Sequence, residues 1–460
     1  MRFARTFAAL ANVDYRRYYL GQGISLIGSW LQAAAVSWIV YDRTRSERML
    51  GLVEAAGVVP GLVVGLFAGA LADRVRPRRM ILSMQIAQMA LAFLLAWIVA
   101  ADIEPVVAPT ALIVALTRVF VTFEMPSRQV LLHRLVGREG LLNAIALNSG
   151  LFNASRVVGP ALAGICLARL GEPACFALNG ASYLAAIAAL LAIRRIDDPS
   201  DVSLESRGGR PAPDWFGGLR YVRSDRVTAL LFGLVIAMGV VGMGYSALAA
   251  SYARRTIGTL EAGYSMLLAG AGVGATIGAL VVAGRSGTRR PDRILIGGIV
   301  LFSVALAGCA LLPPLAGPTG SLARLATALV CLTAVGFGAV AFYASAQMMI
   351  QHRVPDALRG RVMGIWMIAY SGSVPLGCLW AGELAARTDV PTVMLVSALA
   401  CLAIALGVEH GGRLRPGPSV SESATAQCEA GTSAQAAFNI RPTDATIDSS
   451  TSFDQDAGRP

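Results

Sequence analysis

Long apolar runs, broken by short polar punctuation, dominate this chain. They fall at about 18–41, 50–72, 80–101, 108–126, 142–169 and 173–194, then at about 228–250, 262–284, 294–313, 321–348, 362–386 and 389–408. At about 1.5 Å per residue, each crosses the roughly 30 Å of a bilayer's hydrocarbon as a helix. The pattern predicts an all-α membrane protein with twelve transmembrane helices in two pseudo-symmetric six-helix bundles. Residues 1–194 form the first half, 195–227 a polar central loop and 228–408 the second half. Residues 409–460 are rich in Ser, Thr, Ala and Asp with few large apolar groups, so a disordered tail is expected.

The polar positions orient this pattern. All 39 basic residues are arginine, and 25 of them lie in alternate loops, at the N-terminus, 73–79, 127–141, 194–227, 285–293 and 351–361. The opposite loops hold eight, led by Arg43, Arg45 and Arg48. Loops with excess arginine stay on the cytoplasmic side, so both termini and the tail are expected there, in a bacterial inner membrane. The 17 residues before the first run lack an apolar core and a small-residue cleavage site, so that helix is expected to be retained. The halves also echo one another. Gly65–Leu82 lies without gaps on Gly278–Leu295, and His133-Arg134 matches His352-Arg353 in the corresponding loops. Such a parallel repeat about the membrane normal is an architecture built around a central cavity.

Composition agrees and removes alternatives. Apolar residues make up 55%, charged residues 15%, and mean hydropathy is +0.61, too apolar for a water-facing surface. The net charge of +11 follows from the loop arginines, so nucleic acid is not an expected partner. The cysteines show no CxxC spacing, so neither a metal nor a disulfide framework is expected, and no cofactor. Gly270, Gly272 and Gly274 lie inside an apolar run without a preceding strand, which favours helix packing over nucleotide binding. No nucleophile elbow or Walker sequence is present, so the chain is not expected to be an enzyme.

Four groups of residues carry candidate chemistry. Gly69, Asp73, Arg74, Arg78 and Arg79 lie where the second helix meets its loop, an acid among arginines able to pair across a packing interface. Gly159, Pro160 and Gly164 lie in the fifth helix, where proline frees a carbonyl and permits a bend while small residues admit a close neighbour. Arg118, Arg156 and Glu54 are charges inside spans, and a guanidinium at that depth must face a partner, a carbonyl or water. Glu124, four residues before Arg128, reads as a local ion pair. Ser149, Asn153 and Arg156, like Gln22, Ser25, Ser29 and Gln32, follow helical spacing. Such stripes fit either a water-filled cavity or interhelical hydrogen bonding.

These stretches resemble a known family. Gly69–Arg79 resembles the loop motif of the major facilitator superfamily, with Pro77 where a basic residue is usual, and Gly159–Gly164 resembles its antiporter motif. Tyr15-Arg16-Arg17, Gly28–Gln32, Pro126–Gln129, Leu135–Glu139, Asn143–Ser149 and Pro355–Val362 are similar to the transmembrane secretion effector branch. The resemblance spans about residues 10–408. It implies the major facilitator fold and proton-coupled export of a small amphipathic molecule, such as a siderophore, antibiotic or drug, by rocking of two halves in a monomer. It further implies that Asp73 and Arg74 hold an inter-half gate, that Gly159 and Pro160 form the antiporter bend, and that Asp73→Asn slows cycling more than binding. An uptake symporter on the same fold, or a membrane sensor or scaffold, are the alternatives.

Overall fold

The computed structural model describes residues 8–72, 75–193, 215–285, 290–315 and 321–410. After a 3-10 turn at Ala8–Ala11 come α1 (Val13–Thr44), α2 (Glu47–Ala72) and α3 (Pro77–Ala100). Helices α4 (Val107–Gly137), α5 (Asn143–Leu170) and α6 (Glu172–Ala192) complete the first half. The part of the central segment that is described contains a short helix, α7 (Trp215–Ser224). The second half comprises α8 (Arg226–Ile257), α9 (Glu261–Gly284), α10 (Pro291–Leu315), α11 (Ser321–Arg353), α12 (Asp356–Arg387) and α13 (Val390–His410). Among the described residues, eleven helices are long and apolar enough to cross a membrane. With the 26-residue α2, they make the twelve of two six-helix bundles.

Local chemistry sets the breaks between helices. Asn12 caps α1, its side-chain oxygen accepting from the backbone N–H groups of Asp14 and Tyr15. Gly137, at φ 66°, takes a backbone conformation that costs a side chain-bearing residue energy, and there α4 gives way to α5. The turn is held from the N-terminus, because Asn12 Nδ2 donates to the Leu135 carbonyl and Tyr15 Oη to that of Ala144. Ala9 N–H donates to Asn143 Oδ1. The Leu135–Glu139 and Asn143–Ser149 motifs therefore build one corner of the first half.

Burial follows the solvent. Leu20, Trp97, Leu112, Ile165, Leu280, Val330 and Leu399 are exposed, as expected of side chains whose solvent is lipid. Inside the first half, α1 packs on α5 and α6, α2 on α4, and α3 on α6. In the second, α9 and α10 pack on α11, and α10 on α13. The halves meet along two seams, α2 with α12 and α5 with α9. Helix α8 is irregular, with π turns at Met238–Gly242 and Tyr252–Ile257 around a 3-10 stretch. The Val240 carbonyl at its first π turn accepts from Trp380 Nε1 of α12, so that acceptor is satisfied.

The bundle has two ends. The end bearing Val13 and His410 is here the proximal end; the end bearing Thr44, Glu47 and Ile257 is the distal end.

Candidate functional site

The distal end is sealed between the halves. From α1, Asp42 pairs with Arg254 of α8 at 2.8 Å, and the same guanidinium lies 5.5 Å over the Trp38 ring. At the start of α2, Glu47 is buried and takes hydrogen bonds from Ser251 Oγ at 2.7 Å and Arg255 Nη1 at 2.9 Å. Arg48 grips Glu383 of α12 with two donors, at 2.6 and 2.8 Å. Beneath them Tyr264 of α9 donates to the Ala34 carbonyl and lies against Trp38. A Cβ at Gly382 would lie 2.7 Å from the Glu47 carbonyl, so the α2–α12 seam depends on that glycine. Gly164 does the same on the other seam, where a Cβ would meet the Ser265 side chain at 2.6 Å. None of Asp42, Glu47, Arg254 or Arg255 stands out in the sequence as more than a loop charge. Only the fold brings them together.

Below the seal lies a zone of exposed charge. At about 1.5 Å per residue, Arg118 sits about 17 Å and Arg156 about 21 Å from the distal ends of α4 and α5. Arg118 is exposed, its stem passing the glycine step at Gly57, and among the described residues its guanidinium makes no hydrogen bond or ion pair, although its carbonyl accepts from Thr122 Oγ1. Arg156 is half-buried, its guanidinium carbon 5.8 Å over the Trp30 ring, which in turn meets Phe152 edge-on at 5.6 Å. Asn153, also half-buried, donates to the Ser149 carbonyl one turn back. Glu54 is nearer the distal end, half-buried, and accepts from Ser37 Oγ at 3.3 Å.

Gln22 and Gln32 lie elsewhere, buried between helices of the first half. Gln32 accepts from Asn179 of α6 at 2.7 Å. The Gln22 amide oxygen, oriented to suit its neighbours, accepts from Arg128 at 2.8 and 3.1 Å. Arg128 pairs with Glu124 at 2.7 Å, so the expected local ion pair is present. It is part of something larger. Glu124 is 1% exposed and accepts also from Gln85 and Gln88 of α3, each at 2.9 Å. Tyr183 of α6 then donates to Gln88 at 3.1 Å. Sequence reasoning missed Gln85 and Gln88, although two amides three residues apart in an apolar span were the available signal. A buried carboxylate survives in such an interior only when its charge and lone pairs are all met.

At the proximal end, Asp73 and Arg74 lie outside the described residues. Gly69 is in the last turn of α2, and Arg79 is exposed. Arg78 Nη2 donates to the Leu191 carbonyl and Arg17 to that of Ala192, so both help close the C-terminus of α6. Through Gly159 and Pro160 the backbone torsions remain helical. Gly159 instead admits α1, since a Cβ there would lie 2.9 Å from the Ile27 carbonyl and 3.0 Å from Leu31 N.

The chain compares with known proteins along its length. A family described as transmembrane secretion effector matches residues 4–441. The multidrug efflux pump Tap of Mycolicibacterium fortuitum is 26% identical over 405 residues, 84% of this chain and 93% of the pump. The enterobactin exporter EntS of Shigella boydii is 25% identical over 378 residues, 81% of this chain and 85% of the exporter. Among solved structures, the nucleoside transporter NupG (D323A mutant) is similar with a TM-score of 0.69 at 13% identity, covering 87% of this chain and 99% of that one. The last likeness concerns the fold alone. A twelve-helix bundle with a sealed end, charges exposed at half depth and this match from residue 4 to residue 441 leads to one conclusion: the chain belongs to the transmembrane secretion effector family of the major facilitator superfamily, and is a membrane transport protein rather than an enzyme.

Proposed function

We propose that this protein exports a small amphipathic molecule from the bacterial cytoplasm across the inner membrane, coupled to proton entry, by alternating access as a monomer. The proximal end is then cytoplasmic, with both termini there, as the arginine distribution favours. The observation that carries the reading is the pairing of a closed distal seal with an exposed guanidinium at half depth. Arg118 cannot stay charged against hydrocarbon, so its exposure is to a polar cavity. With the distal side held by Asp42–Arg254, Glu47–Arg255 and Arg48–Glu383, that cavity opens proximally. The bundle thus stands ready to load from the cytoplasm, the side from which an exporter takes its cargo.

In this cycle Gly69, Asp73, Arg74, Arg78 and Arg79 act at the proximal closure, and the distal pairs must separate as it forms. Gly159, Pro160 and Gly164 allow α5 to slide on α1 and α9 while staying in contact. Glu54 carries the proton, because it is the half-buried intramembrane carboxylate without an arginine partner among the described residues, and it lies just below the seal that must open. Efflux of the relatives' kind, of drugs or siderophores, sets the cargo class. The test is efflux from loaded vesicles under an imposed pH gradient, with Glu54→Gln alongside. Gradient-driven efflux that Glu54→Gln uncouples supports the reading. Efflux indifferent to the gradient, or accumulation in the direction of proton entry, defeats it.

A further inference from the structure

We propose that Arg118 and Arg156 form the recognition site for an organic anion, an acidic group carried on a flat apolar body, with Trp30 and Phe152 as the platform for that body. The inference rests on the transport reading only in taking this zone as the substrate cavity. It adds the cargo's charge.

The argument begins with charge balance. Two permanent cations lie within about 5 Å of each other in depth, judged from helix rise. Glu124 is fully engaged by Arg128, Gln85 and Gln88 and closed off from the cavity. Glu54 is higher by about one turn of helix than Arg118 and about two than Arg156, and is engaged with Ser37. In the second half, α8, α9, α11 and α12 carry no charge between Arg226 and Ser251, between Ala262 and Gly284, between Leu325 and Gln351, or between Arg361 and Glu383, the last acid being held at the distal rim by Arg48 and Arg387. Two guanidiniums therefore share the zone with one carboxylate that pairs with neither among the described residues, so a net positive charge remains, its field focused by the apolar bundle, and a cation is repelled.

The aromatic groups define the rest. The Arg156 guanidinium carbon lies over the Trp30 ring at 5.8 Å, a cation–π contact that uses none of its N–H donors and leaves them for a planar oxyanion. Phe152 is 47% exposed beside Trp30, an apolar surface next to the charge. Tyr245 of α8, buried on the opposite half, lies within electrostatic reach of Arg156 and bounds the site from that side. A carboxylate fits this arrangement on a ring-bearing body; a lipophilic ammonium does not.

The test uses the full-length protein in nanodiscs and two probes of one shape, 2-naphthoate and 2-naphthylmethylamine, titrated calorimetrically at neutral pH. Naphthoate should bind at least tenfold more tightly than the amine. Arg118→Gln and Arg156→Gln should each weaken naphthoate about tenfold and leave the amine unchanged or tighter, with the pair of changes less than multiplicative because both arginines act on one anion. Arg118→Lys and Arg156→Lys keep the charge, retain part of the affinity and guard against misfolding. Three results overturn the inference: amine binding as tight as naphthoate, no saturable naphthoate binding, or naphthoate affinity intact in the double Gln variant. Loss of the anion preference with gradient-driven efflux intact strikes this inference alone. Loss of gradient dependence with anion binding intact strikes the proton-coupled reading instead.

Discussion

The two halves use one helix-packing device and fill their interiors differently. In the first, Gly57, Gly61 and Gly65 of α2 face Val114, Arg118 and Thr122 of α4. In the second, Gly270, Gly274 and Gly278 of α9 face Leu329, Thr333 and Phe337 of α11, at the same offset as the sequence repeat. In the first half a Cβ on these glycines meets mainly side-chain ends, as at Val114 Cγ1, 2.9 Å from Gly57. In the second it meets backbone, the Thr333 carbonyl at Gly274 and the Phe337 carbonyl at Gly278. The second half has the tighter contact, and its interior is apolar, with Phe302, Leu306, Phe342 and Ile350 fully buried. The looser contact of the first half leaves room for the Arg118 stem, and its interior is tied by Glu124, Arg128, Gln85 and Gln88. Continuing the aligned stretch, Gly298 stands for Gln85, and α11 carries no acid or arginine between Arg324 and His352. One half is thus held by directed polar bonds and carries the charges; the other is held by close packing.

Substitutions at four places can break or sharpen this contrast. The largest effect is expected for Glu124→Ala, which strands Arg128 and both glutamine amides inside the first half. Removing one partner of a buried pair costs about 3–5 kcal/mol, read as thermal unfolding of the detergent-solubilised protein. Glu124→Gln should cost less, and a value near zero for Glu124→Ala would show that the network does not hold the half together.

Next comes the glycine step. Gly274→Ala drives a methyl into backbone that cannot swing aside, an overpacking cost of about 1–3 kcal/mol, while Gly57→Ala displaces a valine methyl and should cost less than about 1 kcal/mol. Equal losses would mean that the two contacts are alike after all.

A smaller effect is expected at the seal. Glu47→Gln weakens a buried bond between the halves, and should raise several-fold the modification rate of a cysteine placed at Ala34, buried beneath the seal, all native cysteines but Cys331 among those described being buried. Glu383→Gln breaks a more open rim pair and should change that rate by less than about twofold. The opposite ranking would place the latch at the rim.

The smallest concerns Asp225, the N-cap of α8 in the second half. Partial burial raises its carboxyl pKa, but hydrogen bonds from Thr228 and the neighbouring Arg353 outweigh this and hold it below the usual carboxylate range. Asp225→Ala should cost about 1 kcal/mol at neutral pH. Because the folded value is depressed, that contribution is present above the usual range and fades as pH falls through and below it. A gap between wild type and variant that stays constant into acid would refute the assignment.

The hydrophobic pattern by itself determined the helix count, the division into halves and the repeat. Lipid leaves a spanning chain little choice but helices, and those need only length and apolarity to be read. It also marked Arg118, Arg156 and Glu54, since any charge in an apolar run is conspicuous. It left the polar stripes undecided. Gln22 and Gln32 turned into the bundle, whereas Asn153 and Arg156 stand half-open, because helical spacing fixes which residues share a face and says nothing of what that face meets. The distal seal was not legible at all. Asp42 and Arg254, or Glu47 and Arg255, lie some two hundred residues apart in sequence and look like ordinary loop charges. Only the docking of one half on the other brings each acid to its arginine, and a contact between distant segments leaves no local periodicity to read. The same holds for Glu124: its arginine was one turn away and visible, but the amides that complete its shell arrive from α3.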